Sequence, residues 1–361
     1  MFRKLSYNLT VLLLAALLMA SFACSAPSEQ EVEIIPPSVT PSACPETAVP
    51  EITSAPTPEP TPEPTPEPTP EPFRYIEVTS SDYDIGGFVL VNYAHEYIHV
   101  DQIERSVVPL HGNTSAKLLL TNNEHALDRS AMEALDRFAA GFYAQTGGDR
   151  LFVTSSFRTL AYQQRVYDDY VKKHGEEMAK LYVADPGFSE HHTGLAVDLS
   201  TMSKGGERVA LINHEAFGWA KRHCADYGFI LRYPVGSEEI THVAYEPWHF
   251  RYLGIPVAKA VSALGMTYEE FVEHIRQYSA ENGMLLLTEG EGGEANIDVV
   301  YPDSIPERCC LVYFVPKSDG ETTSIPVPNC IPQSAKVDIG GDNEQGFIIV
   351  ISIGGAFAEN D

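Results

Sequence analysis

Two short stretches contain residues whose types and spacing could do hydrolytic chemistry. Residues 188–198 read FSEHHTGLAVD, with adjacent histidines at 191 and 192 and an aspartate on an apolar, strand-like run. Residues 245–252 read YEPWHFRY, with Glu246 three residues before His249. Hydrolysis at a zinc ion needs protein ligands that leave one position open for water, and a nearby carboxylate to take the water's proton. His191, Asp198 and His249 would supply the ligands and Glu246 the base. The separation of seven between His191 and Asp198 does not put both on one face of a continuous strand, where side chains alternate. Gly194 relieves this by allowing His191 to sit in a turn leading into a strand that carries Ala196 and Asp198 on one face. Spacing alone does not choose between His191 and His192.

The elements that must position these residues are legible as hydrophobic patterns. Met132, Leu135, Ala139 and Phe142 share one face of a core helix over 126–145. A buried strand is expected at 151–155, an amphipathic helix at 159–173 and a strand at 195–199. A helix over 216–227 should stop at Gly228. A strand at 229–233 then turns around Gly236 toward 241–245, and one or two helices close the region over 255–277. Strands and helices are interspersed with short loops, which predicts an α+β fold with helices packed on a small antiparallel sheet. From Met284 onward, strand-like runs at 311–316, 323–328 and 347–353 alternate with Gly, Asp and Pro, predicting a small all-β appendage over 283–361.

The N-terminus has a different character. A short basic start and an apolar run over 9–20 have the form of an export signal, too short for a spanning helix. Ser21-Phe22-Ala23-Cys24 resembles a bacterial lipoprotein cleavage site with Cys24 as the lipidated residue, although Ser21 stands where leucine is usual. Ordinary signal cleavage or an uncleaved anchor are the alternatives. Residues 1–24 are thus read as the signal and 25–72 as a Pro-rich spacer ending in four TPEP units, which excludes helix and sheet. The net charge of −26 argues against nucleic acid and against charge-driven membrane binding, leaving the N-terminal anchor as the expected membrane contact. Cysteines 44, 224, 309, 310 and 330 form no CxxC pair, which argues against a cysteine-ligated zinc. A bridge from Cys309 or Cys310 to Cys330 is open, with buried free thiols as the alternative, preferred for Cys224.

Ser189 to Asp198 matches the SxHxxGxAxD signature of the zinc D-alanyl-D-alanine peptidases, the group containing the VanY-type carboxypeptidases. Glu246-Pro247-Trp248-His249 matches that family's ExxH element, and the resemblance selects His191 over His192 as the ligand. Ser155-Ser156-Phe157-Arg158-Thr159 with Tyr162-Gln163-Gln164 resembles the segment whose arginine grips the substrate's terminal carboxylate. A guanidinium fork suits that task. The resemblance implies Gln163 and Ser189 as further substrate partners and covers roughly 128–254. It implies a hedgehog/D-Ala-D-Ala peptidase-like fold over 73–282 with one zinc ion. It also implies an extracytoplasmic zinc carboxypeptidase that removes the C-terminal D-alanine from peptidoglycan stem peptides.

Other readings stay open. L,D-carboxypeptidases and wall endopeptidases share these residues, and a non-catalytic wall-binding lipoprotein is the rival from another class. Histidines 192, 214, 223 and 242 are expected to be satisfied core residues, and Arg251 an ion-pair partner behind the ligands.

Overall fold

A computed structural model of the protein describes residues 71–357. The expected export signal, Cys24, Cys44 and the TPEP units up to Pro70 lie outside the described residues. Among the described residues no helix is long and apolar enough to cross a membrane.

The strands, in chain order, are β1 (Phe73–Thr79), β2 (Val108–Pro109), β3 (Leu118–Leu120), β4 (Ala126–Leu127), β5 (Arg150–Ser155), β6 (Ala196–Met202), β7 (Arg208–Ala210), β8 (Phe229–Leu231) and β9 (His249–Tyr252). Six more follow: β10 (Met284–Glu289), β11 (Ala295–Val300), β12 (Cys309–Pro316), β13 (Thr322–Pro328), β14 (Lys336–Gly341) and β15 (Gly346–Ile353). The helices are α1 (Val100–Glu104), α2 (Arg129–Thr146), α3 (Leu160–His174), α4 (Glu176–Tyr182), α5 (Phe217–His223), α6 (Glu238–Thr241), α7 (Ile255–Leu264) and α8 (Tyr268–Ile275).

The fold is α+β, with helices on a sheet of order β3-β5-β6-β9-β8 and β7 flanking β6. The sheet is mixed where an antiparallel one was expected, because the short strand β3 runs parallel to β5. Helix α2 starts at Asp128, whose carboxylate accepts from the Ser130 and Ala131 amides, and it ends at Gly147 in the left-handed conformation. Its apolar face, including Met132, Leu135, Phe138, Ala139 and Phe142, packs on Leu151, Val153, Val197 and Phe250 of the sheet. The backbone amide of Asp128 also donates to Gly194 O at 2.8 Å, tying the start of this core helix to the turn that holds His191.

Two further expectations differ from the fold. Residues 241–245 are not a strand: α6 ends at His242, whose backbone is left-handed at φ +53, and the partner of β8 is β9. His242 itself is exposed and not a core residue.

The C-terminal region forms a separate antiparallel sheet of order β11-β10-β12-β15-β14, in which β10, β11 and β14 join two of the three strands expected, while the third, β13, pairs with β1. It is buried on both faces. Cys310, Val312 and Phe314 point toward α7, α8, Phe88 and Leu90. Cys309, Leu311 and Tyr313 point toward β1 and β13, which pair antiparallel from Phe73↔Pro328 to Thr79↔Thr322. One hydrophobic cluster thus contains residues from both sides of position 282. No bridge joins Cys330 to its neighbours: Cys224, Cys309, Cys310 and Cys330 are free thiols, with Cys309 and Cys310 on opposite faces as the pleat requires.

The β14–β15 turn grips the segment running from 85 to 97. Asn343 Nδ2 donates to Leu90 O at 2.9 Å and Glu96 O at 3.0 Å, and the Leu90 amide donates to Asp342 O at 3.1 Å. Asn343 has φ +65, a conformation that asparagine tolerates better than alanine. Asn343→Ala is expected to lose about 2 kcal/mol of stability, the sum of two hydrogen bonds and backbone strain, measured as a lower urea midpoint at unchanged slope.

Candidate metal centre

Strand pairing and one turn bring the expected ligands together. Asp198 on β6 lies directly opposite His249 on β9, so both side chains leave the sheet on the same face. His191 belongs to the 3-10 turn Glu190–Thr193, which Gly194 ends at φ +71. A Cβ on Gly194 would sit 2.9 Å from Val107 Cγ1, so both the backbone angle and the packing call for glycine. His249 Nδ1 is 3.0 Å from Asp198 Oδ1, and His191 Nε2 is 3.4 Å from Asp198 Oδ2. Ligand atoms of all three residues lie within 4.8 Å of one another, and all three side chains are buried.

Both imidazoles are oriented from behind. His191 Nδ1 donates to Ser156 O at 2.8 Å, leaving Nε2 free to coordinate. His249 presents Nδ1 to the site while its Nε2 donates to Glu190 Oε2 at 3.2 Å. Such outer partners fix the tautomer that binds metal. Burial, with the Arg158 charge, lowers His191 to about 4, so its ring is neutral as coordination requires. Burial alone would also lower His249, but the Asp198 and Glu190 groups outweigh it and push the ring up to about 9. Burial would raise Asp198, yet the two histidines hold its carboxyl well below the usual range. The surplus negative charge that favours a proton on His249 is charge a divalent cation would satisfy in its place. Two imidazoles and a carboxylate, converging and buried, fit a single zinc ion.

Glu190 occupies a position the motif leaves free, and sequence reasoning assigned it no role. Its carboxylate is fully buried and accepts from Arg232 Nε at 2.8 Å and Arg251 Nη1 at 3.0 Å. Burial would raise it, but the two guanidiniums hold it well below the usual carboxylate range. Arg251 is thus an ion-pair partner, as expected. Arg232 also donates from both terminal nitrogens to Glu269, at 2.7 and 2.6 Å. The signal available in the sequence was two arginines inside apolar strand runs, FILRY and HFRY, where a charge needs a buried partner.

A cavity of about 420 Å³ opens over the ligands, lined by Arg158, Ser189, Glu246, Trp248, Asn92 and Tyr93 among others. Glu246 Oε2 lies 3.8 Å from His249 Nδ1, and burial pushes its carboxyl up to about 7. A bulge between Val153 and Ser155 sets Ser155 opposite Asp198. Arg158 Nε donates to Ser155 Oγ at 2.9 Å, Nη1 to Gln163 Oε1 at 3.1 Å and Nη2 to Asp198 Oδ2 at 3.2 Å. Ser189 lines the cavity. Gln163 does not: it is fully buried behind Arg158, its amide nitrogen donating to Ala184 O at 2.7 Å, so it positions the arginine. His192 stands outside the ligand group. It donates from Nδ1 to Arg158 O at 2.7 Å and accepts the Gly187 amide at Nε2, a satisfied histidine that also holds the Arg158 backbone.

A family profile described as VanY, D-alanyl-D-alanine carboxypeptidase, matches residues 124–255. The Bacillus subtilis (strain 168) protein YodJ is 40% identical over 147 residues, covering 40% of this chain and 54% of its own. The bifunctional D-Ala-D-Ala dipeptidase and D-Ala-D-Ala carboxypeptidase VanXYC of Enterococcus gallinarum is 35% identical over 128 residues, covering 35% of this chain and 67% of its own. The chain thus spans between about half and two thirds of these relatives. The crystal structure of the vancomycin-resistance D,D-dipeptidase VanXYg, in complex with a D-Ala-D-Ala phosphinate analog, superposes with a TM-score of 0.62 at 27% identity, covering 78% of this chain and 99% of that one. The matched stretch contains the three ligands, Glu246 and Arg158, and with the shared fold it places the chain in the VanY-type family of zinc D-alanyl-D-alanine carboxypeptidases.

Proposed function

We propose that the protein is an extracytoplasmic zinc carboxypeptidase that removes the C-terminal D-alanine from peptidoglycan stem peptides. The observation that carries this reading is the meeting, over one cavity, of a three-ligand cluster, a buried carboxylate outside that cluster and a guanidinium. His191, Asp198 and His249 would hold the zinc ion, which when bound would supply Lewis acidity toward a carbonyl oxygen and a water. Arg158, held in place by Ser155 and Gln163, pairs with the terminal carboxylate of the peptide and sets the scissile amide over the ligands. Glu246 takes the proton of the attacking water and passes it to the leaving D-alanine amine. Glu190 and the Ser156 carbonyl keep the two imidazoles in their binding tautomers.

The relatives' names support this choice of bond, and the N-terminal sequence supports the location. Cleavage before Cys24 and lipidation there would tether the catalytic region through a long Pro-rich stretch and so give it reach from the membrane. For a substrate fixed in a wall, such reach is what an anchored enzyme needs.

Incubating the purified, zinc-loaded protein with defined penta- and tetrapeptide stems, with mass detection of released alanine, tests the reading. D-Alanine is expected from the pentapeptide, with loss of release on chelation. Release from the tetrapeptide alone would make it an L,D-carboxypeptidase, and no release from either would overturn the carboxypeptidase assignment.

A further inference from the structure

Two aromatic residues on the cavity rim have no place in the chemistry above. Tyr93 lies outside the profile-matched stretch, at the tip of a tight turn. Asn92 fixes the base of that turn: it exchanges backbone hydrogen bonds with His95, and its Oδ1 accepts the Ala94 and His95 amides at 3.0 and 3.2 Å. Its Nδ2 donates to Glu269 Oε1 at 3.1 Å. The segment is clamped on both sides of the turn by Asn343, through Leu90 O and Glu96 O. All this rigidity presents a side chain that is 59% exposed, so Tyr93 is not there for core packing. Its ring lies 4.1 Å, centroid to centroid, from that of His242, which also lines the cavity and holds its left-handed backbone at φ +53. A strained, non-glycine residue on a cleft wall is where structures store functional constraint.

The position of this pair follows from what flanks it. Arg158 is tied through Gln163 to Ala184, so the wall containing Ala184 belongs to the carboxylate-binding end. Tyr93 and His242 are exposed at the rim of the same cavity, whereas the Arg158 side chain is only 15% exposed, so a peptide whose terminal carboxylate reaches Arg158 must leave the cavity past its exposed rim. We propose that Tyr93 and His242 form a subsite for the peptide chain on the N-terminal side of the scissile bond, so that this protein favours longer acyl-D-Ala-D-Ala peptides over the minimal one. The reading rests on the carboxypeptidase assignment. The aromatic faces would take the flat amides and aliphatic side chains of an extended peptide, contacts that need no charge and tolerate D-residues.

The test compares kcat/KM for a pentapeptide stem with that for N-acetyl-D-Ala-D-Ala in the full zinc-loaded chain. Tyr93→Ala is expected to lower the long-to-short ratio by roughly threefold to tenfold, through KM of the long peptide, with the short peptide unchanged. Tyr93→Phe should keep the ratio, since the ring and not the hydroxyl makes the surface. His242→Gly, which suits the positive-φ backbone, should lower the ratio in the same way. Wild-type turnover with an unchanged or raised ratio in Tyr93→Ala, or an equal loss on both peptides, overturns the subsite and leaves the carboxypeptidase standing. No wild-type turnover of either peptide overturns the carboxypeptidase assignment, and the subsite with it.

Discussion

Glu246→Gln is expected to lower kcat by about 10³-fold while the chain still binds one zinc ion, a loss in the range typical of removing a positioned general base. The two halves of the prediction come from the geometry. Glu246 lines the same cavity as the ligands, yet it is not part of the cluster whose donor atoms lie within 4.8 Å of one another. Glutamine keeps the size and the burial and removes the capacity to accept a proton. Burial pushes the Glu246 carboxyl up to about 7, which favours a group that both takes and returns a proton near neutrality. A cation held by the triad acts in the opposite direction and favours the ionised base. Zinc content by plasma emission and alanine release from the pentapeptide stem separate the outcomes. Full turnover in the variant would remove Glu246 from the mechanism, whereas loss of zinc would make it a ligand.

The metal ligands were legible in the sequence as two short motifs, although the choice of His191 over His192 came from the family resemblance and not from spacing. Asp198 and His249 face each other through one strand pair, and Gly194 supplies the turn that lets His191 reach the same point. Alternation also placed Cys309 and Cys310 on opposite faces before any fold was known. What stayed hidden is carried by residues far apart in the chain. The pairing of β1 with β13 joins Phe73 to Pro328, and no periodicity in either strand points to the other. Residues 241–245 look like a strand because the strand formers Thr241, Val243 and Tyr245 recur at every second position, but His242 takes a left-handed backbone that breaks any such run. Gln163 was assigned to substrate by resemblance, and only the hydrogen bonds to Arg158 and Ala184 reveal that both ends of its amide are spent inside the protein. Tyr93 and Asn92 gave no motif at all, since their place on the cavity depends on a turn clamped by Asn343.

The buried Glu190 network carries the second large expected effect, and two substitutions there should divide stability from metal binding. Glu190→Ala removes the shared acceptor of Arg232, Arg251 and His249 and leaves a void among side chains with no exposure. Arg232 keeps Glu269, and Arg251 keeps the Gly87 and Val89 carbonyls, so neither cation is wholly abandoned. Each nevertheless loses its most deeply buried counter-charge. The expected loss is about 3–5 kcal/mol, a large part of the whole stability of a typical domain, measured by urea denaturation of the metal-free chain. Glu190→Gln keeps the volume and one acceptor oxygen. It removes the charge and turns an amide NH2 toward donors, so the stability loss should be smaller. Its sharper effect should fall on the metal, because His249 loses the carboxylate that orients Nε2 and raises the basicity of the ring. Zinc affinity in competition with a chelator is expected to fall about 10- to 100-fold, the usual consequence of losing such an outer partner. Wild-type zinc affinity in Glu190→Gln would show that the His249 contact does not tune the metal. A wild-type denaturation midpoint in Glu190→Ala would show that the two arginines are satisfied without it. The expected result ties the residue between Ser189 and His191 to both fold and chemistry: the turn that delivers one ligand also inserts the carboxylate that holds another.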